Sequence, residues 1–266
     1  MTMSDSRPIG IFDSGVGGTS IWKEITSLMP YESTIYLADS LNAPYGSKNP
    51  EEIRALCQKN TDYLLSLGAK IIVVACNTAT TNAIGHLRAT YEVPIIGIEP
   101  AIKPAAAQSE NKAIGILATK GTLNSQLFAD TSERFTRDMD LIEVEGKGLV
   151  PMIENGDIHS EKMVALLRDF MKPMIAAKID YLVLGCSHYP YLIPLLKKIL
   201  PASVKIIDSG LAVARQTKAV LQASGLRTKA TTLGEHHMYT NLETTTTLEL
   251  LVGNHMPNTS FESKSF

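Results

Sequence analysis

Two cysteines, Cys76 and Cys186, have the surroundings best suited to chemistry. Each directly follows an apolar run typical of a buried strand, and each precedes residues that can start a helix, Asn77 and Thr78 in one case and Ser187 in the other. Open α/β sheets bind ligands at the carboxyl ends of their strands. Backbone N–H groups at a helix start favour an anion, so a thiol there shifts toward the thiolate. We therefore expect two activated thiols that face one cleft.

Two other interpretations of these thiols stay open. Free cysteines are among the most buried residues, so Cys76 and Cys186 could be structural, as we predict for Cys57 on the apolar face of a helix. Together with His188 they could also bind a metal, but a zinc site needs three or four ligands. No C-x-x-C or H-x-x-x-H spacing accompanies them, and we predict no metal site.

A glycine-rich loop follows the first apolar run, with the sequence Asp13-Ser14-Gly15-Val16-Gly17-Gly18. The dinucleotide pattern G-x-G-x-x-G would need glycine at Ser20, and no G-K-[ST] follows, so phosphate binding is weakly supported. The turn presents N–H donors, a carboxylate and a hydroxyl, which suits a small substrate with an anion and an ammonium. It could equally serve backbone geometry alone.

Further polar residues lie beyond other predicted strands. Tyr45 lies in a turn at 41–46, and the 119–122 turn offers hydroxyl and N–H groups. Glu154 is a single acid near a turn, for which a solvated carboxylate is the default interpretation. His236 and His237 are predicted to end a surface turn after Gly234.

Apolar runs alternate with helical segments along the chain, which predicts an α/β fold with parallel strands. Helical spacing is found at 19–29, 51–67 and 161–170, and two prolines at 99–104 suggest a crossing between domains. The tripeptide Asp-Ser-Gly occurs at 13–15 and 208–210, and Cys76 and Cys186 follow similar runs, which suggests two similar halves. The predicted strands are 9–12, 34–38, 71–75, 94–98, 113–118, 141–144, 181–185 and 204–207.

Composition excludes several classes of protein. The 266 residues are 44% hydrophobic and 20% charged, as in globular proteins, and 25 Lys and Arg against 27 Asp and Glu leave a net charge of −2. Without a basic cluster, no nucleic-acid partner is indicated. No apolar run is long enough to span a membrane, and the polar stretch 1–7 is unlike a secretory signal, so we expect a cytoplasmic protein without a disulfide framework.

Five motifs, in this order along the chain, resemble those of the glutamate racemases of the aspartate/glutamate racemase family. They are Phe12-Asp13-Ser14-Gly15-Val16-Gly17-Gly18, Pro44-Tyr45-Gly46, Ala75-Cys76-Asn77-Thr78-Ala79, Ile98-Glu99-Pro100-Ala101 and Gly185-Cys186-Ser187-His188-Tyr189-Pro190. The resemblance implies interconversion of L- and D-glutamate without pyridoxal phosphate or another cofactor, which would supply D-glutamate for peptidoglycan. It also implies two similar α/β domains, with mainly parallel sheets, that face a central cleft. We place the first domain at 1–98 plus 209–266 and the second at 99–208.

The resemblance also implies roles for particular residues. Cys76 and Cys186 would be the acid/base pair, acting on the D- and the L-enantiomer respectively, and would titrate as a coupled pair. Asp13 and Glu154 would be the acids beside them, and His188 would support Cys186. The expected substrate-binding residues are Asp13, Ser14, Tyr45, Gly46, Asn77, Thr78, Thr119, Thr122, Ser187 and His188.

Two features depart from the family's pattern. Ser187 stands where the family usually has threonine, which keeps the hydroxyl and loses one methyl group. About seven residues precede the first strand, whereas some members have a longer extension associated with activation by a peptidoglycan precursor, so the sequence gives no support for that regulation here.

Two other functions remain as alternatives. One is a racemase of aspartate or a related acid in the same superfamily. The other is a carboxylate-binding or redox-sensing module whose cysteines form a reversible disulfide. Exchange of the substrate α-proton with solvent would separate catalysis from binding. A homodimer is one assembly that we consider, and the sequence defines no interface for it.

Overall fold

The computed structural model describes residues 5–266, which form an α/β fold. The prediction for the N-terminus lies partly outside these residues, at 1–4. The strands are β1 (Ile9–Asp13), β2 (Thr34–Ala38), β3 (Ile71–Val74), β4 (Ile95–Gly97), β5 (Ala113–Ala118), β6 (Asp140–Glu145), β7 (Tyr181–Gly185), β8 (Lys205–Ile207), β9 (His236–Thr240) and β10 (Thr259–Ser263). The helices are α1 (Thr19–Leu28), α2 (Pro50–Ser66), α3 (Asn77–Thr90), α4 (Ile102–Gln108), α5 (Lys120–Leu123), α6 (Gln126–Phe135), α7 (Leu149–Glu154), α8 (Glu161–Ala176), α9 (Ile193–Ile199), α10 (Gly210–Ala223) and α11 (Thr246–Val252).

The strands form two sheets, and each pairing among the described strands is parallel. A six-stranded sheet has the order β10-β9-β2-β1-β3-β4, and a four-stranded sheet has the order β6-β5-β7-β8. The central strands β1, β3, β5 and β7 are buried along their whole length, as expected for parallel strands covered on both faces. The predicted α/β fold with two parallel sheets is therefore confirmed.

The two sheets share one strand order, because β2-β1-β3-β4 corresponds to β6-β5-β7-β8. Cys76 follows β3 and Cys186 follows β7, so the two cysteines occupy equivalent places. The two Asp-Ser-Gly tripeptides do not occupy equivalent places, since 13–15 begin at the last residue of β1 whereas 208–210 follow β8, the counterpart of β4. One sheet is built from residues 9–97 and 236–263 and the other from 113–207. We keep the boundaries 1–98 with 209–266, and 99–208, as a proposal.

The eight predicted strands and three predicted helices all form, with ends that differ by a few residues at most, except that α8 continues to Ala176. Two strands were missed, β9 and β10. The prediction of a surface turn at His236 and His237 is wrong, because these residues begin β9 and His236 is fully buried. Burial lowers the pKa of His236 to about 4, and its Nδ1 lies 2.9 Å from the Thr34 hydroxyl.

Local sequence signals explain where helices α2 and α3 begin. Helix α2 begins with a capping box between Asn49 and Glu52 and with Pro50 at its first position, which satisfies free N–H groups at the helix start. Helix α3 starts directly after Cys76, which is its N-cap residue. No helix in residues 5–266 is long and apolar enough to cross a membrane.

Candidate active site

A small cavity lies between the two sheets, at the carboxyl ends of their strands. The space between its atoms is about 240 Å³, including the part that opens to solvent. Both Cys76 and Cys186 line it. The lining residues are Ser14, Pro44, Tyr45, Gly46, Cys76, Asn77, Thr78, Thr119, Val150, Cys186, Ser187 and His188.

Cys76 lies at the end of β3 and caps α3, where its Sγ accepts a hydrogen bond from the Ala79 N–H at 3.4 Å. Its thiol can donate to the Ser14 hydroxyl, 3.7 Å away. Burial and the charge of Asp13 raise the pKa of Cys76 well above its ordinary value, although the Ala79 N–H lowers it. The prediction that the helix start would shift this thiol toward the thiolate is therefore wrong, because desolvation and a neighbouring anion outweigh one backbone donor.

Cys186 has a different neighbour, the imidazole of His188. The distance from Sγ to Nδ1 is 3.8 Å, and both side chains are buried. A four-residue 3-10 helix, Tyr189–Leu192, follows them and leads directly into α9. Burial lowers the pKa of His188, but its hydrogen bonds to Cys186 and Glu154, and their charges, raise it to well above its ordinary value. These contacts favour the protonated ring, which can donate a hydrogen bond toward Cys186.

Glu154 ends α7 and holds the far side of that ring. Its Oε1 lies 2.5 Å from His188 Nε2 and accepts the Val16 N–H at 2.8 Å, while its Oε2 accepts the Ser40 hydroxyl at 2.8 Å. Its side chain is only 11% exposed. The default interpretation of a solvated carboxylate is therefore wrong, and the acid implied by the resemblance lies beside His188.

Asp13 lies behind the cavity lining, at the end of β1. It is fully buried, and its Oδ2 accepts the N–H groups of Gly15 and Gly18 at 3.2 and 3.0 Å. Its Oδ1 accepts the hydroxyl of Ser187 from the other half of the molecule, at 3.0 Å. Burial raises the pKa of Asp13, while the positive charge of His188 lowers it. Asp13 therefore links the two thiol neighbourhoods through Ser187.

The glycine-rich loop at 13–18 serves close approach between the halves. A Cβ atom on Gly15 would lie 2.0 Å from Glu154 Oε1, and one on Gly17 would lie 2.1 Å from His188 Nδ1. Its N–H groups at Gly15, Val16 and Gly18 bind the carboxylates of Asp13 and Glu154. Three of the N–H donors that we expected to bind a substrate are therefore used within the protein. The absence of a Cβ on Gly15 and Gly17 leaves room for the side chains of Glu154 and His188.

A cluster of threonine hydroxyls lies at the cavity wall. Thr78 Oγ1 lies 2.8 Å from Thr119 Oγ1 and 3.3 Å from Thr122 Oγ1. Thr122 is fully buried behind the lining residues and contacts the cavity only through the other two. Gly46 packs against Thr119, since a Cβ on Gly46 would lie 3.0 Å from the Thr119 Cβ. Thr78 and Thr119 are therefore the hydroxyls placed to contact a ligand.

Tyr45 lines the cavity with its buried side chain, but its hydroxyl is engaged elsewhere. It donates to Asp39 Oδ2 and accepts from Asn60 Nδ2 at 3.1 Å. Asp39 is fully buried and also accepts from Asn42 and Asn241. The expected hydroxyl contact between Tyr45 and a ligand is replaced by a role in holding the 40–47 loop.

Asn77 offers the clearest sign of a polar ligand. It is only 2% exposed and lines the cavity, and within the described residues neither its Oδ1 nor its Nδ2 has a hydrogen-bond partner. A buried amide without partners costs free energy, on the order of 1–3 kcal/mol per group. A ligand with both donors and acceptors would supply those partners.

Some site residues escaped sequence reasoning. Pro44 and Val150 line the cavity, and Ser40 binds Glu154. Pro44 stands next to Tyr45 in a motif already singled out, so it could have been included. Val150 and Ser40 carry no local signal. The part of the chain from residue 5 onward contains no group of three or more His, Cys, Asp or Glu side chains arranged to hold a metal ion.

Comparison with known proteins gives the family. Residues 18–217 match the family model of Asp/Glu/hydantoin racemases. The chain is 48% identical over 220 residues to the glutamate racemase of Pseudomonas syringae pv. tomato, covering 82% of this chain and 80% of the relative.

Solved structures agree with this match over nearly the whole chain. Escherichia coli glutamate racemase, in complex with L-glutamate and the activator UDP-MurNAc-Ala, has a TM-score of 0.87 and 30% identity and covers 97% of this chain and 98% of its own. Francisella tularensis glutamate racemase, in complex with D-glutamate, has a TM-score of 0.84 and 27% identity, with 98% of each chain covered. The chain therefore belongs to the Asp/Glu/hydantoin racemase family, in which it groups with the glutamate racemases, and it is an isomerase.

Proposed function

We propose that this protein interconverts L- and D-glutamate by proton transfer between two thiols, without a cofactor. The observation that carries the proposal is that Cys76 and Cys186, one from each half, line the same small buried cavity. Inverting a stereocentre through proton transfer requires removal of hydrogen from one face and return to the other. Acid/base groups on two sides of the substrate meet that requirement.

The proton balance follows from this arrangement. One cysteine enters as a thiolate and removes the α-proton, whose bonding electrons remain on the carbon and spread into the carboxylate. The other cysteine enters as a thiol and donates its proton to the opposite face, so that it leaves as a thiolate. By resemblance, Cys186 acts on L-glutamate and Cys76 on D-glutamate.

The surrounding side chains lower the barrier for the weakly acidic α-proton. Asn77 and Thr78 line the Cys76 side of the cavity, where they can donate to a carboxylate that gains negative charge. Ser187 lines the Cys186 side, where its hydroxyl donates to Asp13. Asp13 and Glu154 provide negative charge near the cavity, which suits a substrate ammonium group. The imidazolium of His188 stabilises a thiolate on Cys186.

Circular dichroism of L- and of D-glutamate, each incubated with metal-free and cofactor-free protein, tests the proposed function. Both signals should decay to zero, and aspartate under the same conditions should keep its signal. Product formed in deuterated water should carry deuterium at the α-carbon, because the donating thiol exchanges with solvent. Product that retains the original hydrogen, while free thiols exchange, would contradict the two-thiol mechanism.

The same incubation separates the alternatives. A redox-sensing or carboxylate-binding module would leave the α-proton in place, and a racemase of aspartate would invert aspartate faster than glutamate. Chelator should not remove activity, and the protein should show no pyridoxal absorbance. Loss on chelation with recovery on adding zinc would support metal binding by Cys76, Cys186 and His188 instead.

The cellular role is also a proposal. A cytoplasmic enzyme of this kind would supply D-glutamate to peptidoglycan synthesis, and depletion of the protein should make growth depend on added D-glutamate. A homodimer is the assembly we propose to test, by light scattering at several protein concentrations.

A further inference from the structure

Ser40, which no family motif in the sequence includes, reaches from one half of the molecule to the other. It follows Asp39 and begins a short 3-10 helix, Ser40–Asn42, after β2. Its hydroxyl donates to Glu154 Oε2 at 2.8 Å, although the two residues are 114 positions apart. The contact joins the loop after β2 to the end of α7.

Glu154 receives donors from both halves. Val16 and Ser40 belong to the half with the six-stranded sheet, whereas Glu154 and His188 belong to the other half. The carboxylate therefore has all three of these donors only when the halves are together. With both oxygens held, and with Gly15 leaving no room beside Oε1, the carboxylate has one orientation.

That orientation matters for Cys186 and not directly for Cys76. Glu154 Oε1 holds His188 Nε2, and His188 Nδ1 lies 3.8 Å from Cys186 Sγ. Cys76 has other neighbours, the Ser14 hydroxyl and the Ala79 N–H. The described contacts thus run from Ser40 through Glu154 and His188 to one thiol.

We propose that Ser40 is a positioning residue that fixes Glu154, and through it His188, against Cys186 across the contact between the two halves. The inference rests on the proposed two-thiol function and extends it by one residue. Ser40 itself touches neither thiol. Its effect is therefore on proton transfer at the Cys186 side of the substrate.

Single-thiol variants isolate that side. In a Cys76→Ala background only Cys186 can exchange the α-proton, and in a Cys186→Ala background only Cys76 can. Ser40→Ala is added to each, and exchange of L- and D-glutamate in deuterated water is followed by proton NMR. Loss of one hydrogen bond to a charged group should slow L-glutamate exchange by Cys186 roughly tenfold. D-glutamate exchange by Cys76 should change little.

Two further variants control the experiment. Ser40→Thr keeps the hydroxyl and should restore exchange by Cys186. Ser47→Ala removes an exposed serine from the same loop, whose hydroxyl donates only to the Pro44 carbonyl within that loop, and should leave both exchange rates unchanged. Thermal unfolding of each variant shows whether it is folded.

Three results would overturn the positioning role. Equal slowing in both backgrounds would mean that Ser40 only supports the loop, and no slowing in either would mean that its hydroxyl is not used. If Ser40→Thr were as slow as Ser40→Ala, the slower exchange would come from the changed shape of the side chain and not from the missing hydroxyl. Any of these leaves the proposed function intact if the unmodified protein racemises glutamate, whereas an inactive unmodified protein contradicts the function itself.

Discussion

The two thiol neighbourhoods occupy equivalent places in two sheets of the same strand order, yet they are chemically unlike. Cys76 has a carboxylate, Asp13, and a hydroxyl, Ser14, beside it, and its pKa is raised. Cys186 has the imidazole ring of His188, which is held by Glu154 and whose pKa is raised by its contacts with Cys186 and Glu154. A reaction whose substrate and product are mirror images is thus served by two different kinds of acid/base support.

Thermodynamics limits where this difference can be seen. L- and D-glutamate have equal free energies in water, so the values of kcat/KM in the two directions must be equal for any active variant. A mutation on one side of the substrate therefore changes kcat/KM equally in both directions, and this quantity does not show which side was affected. Single-thiol variants escape the constraint, because each exchanges one enantiomer without producing the other.

The largest effect should come from removing either thiol. Cys76→Ala or Cys186→Ala deletes one proton-transfer partner, a contribution typically worth ~10²–10⁴-fold in rate, and racemisation should nearly vanish. Each variant should still exchange the α-proton of one enantiomer, D-glutamate for Cys186→Ala and L-glutamate for Cys76→Ala. Proton NMR in deuterated water measures both rates. If each variant exchanged both enantiomers equally, the hypothesis that each thiol acts on one enantiomer would be wrong.

The next effect should come from His188. His188→Asn removes the imidazolium beside Cys186, and L-glutamate exchange in the Cys76→Ala background should fall roughly 10- to 100-fold, the worth of a charged hydrogen bond. D-glutamate exchange by Cys76 should fall much less. The matched control is His159→Asn, at an exposed histidine. A larger loss of D-glutamate exchange by Cys76 would mean that His188 supports Cys76 rather than Cys186.

How far the sequence predicts this site depends on how local the signal is. Cys76 and Cys186 were found because each directly follows a buried strand, and strand order then places them at one edge. Glu154 had no such signal, since its three donors lie at residues 16, 40 and 188, and only the family resemblance pointed to it. Contacts made by distant segments leave no spacing pattern in the sequence.

The missed strands have a similar explanation. β9 alternates buried and half-buried residues in a polar run, and edge strand β10 is largely exposed, so neither has the continuous apolar run of a central parallel strand. The raised pKa of Cys76 was missed for another reason. A helix start is visible in the sequence, whereas the depth of burial and the approach of Asp13 are not.

The pH dependence of exchange should sharpen the comparison. Cys76 must be a thiolate to remove a proton, and burial with the charge of Asp13 raises its pKa. Each unit of increase lowers the thiolate fraction about tenfold at a pH below the pKa. D-glutamate exchange by Cys186→Ala should therefore keep rising with pH beyond the ordinary thiol value of about 8.5.

The profile of Cys186→Ala, measured from neutral to alkaline pH, tests this expectation. The profile should still be rising in the alkaline range, because the remaining cavity thiol, Cys76, has a raised pKa. Asp13→Asn added to Cys186→Ala should move the profile back toward lower pH, because it removes one negative charge. A profile that levels off at the ordinary thiol value, or that Asp13→Asn leaves unmoved, would contradict the raised pKa of Cys76.

The smallest effect on turnover should come from the third cysteine, which serves as a reference for both sides. Cys57 is fully buried on α2 and packs in the core with residues such as Ile53 and Leu64, and burial and the charge of Asp39 raise its pKa. Cys57→Ala removes one buried sulfur and should lower the free energy of unfolding by about 1 kcal/mol. Racemisation should stay at the unmodified rate, because neither the cavity nor a proton-transfer group is altered. Urea unfolding and the circular-dichroism assay measure the two effects on one sample, and a folded Cys57→Ala protein without turnover, beside a Cys76→Ala protein near the unmodified rate, would overturn the assignment of all three thiols.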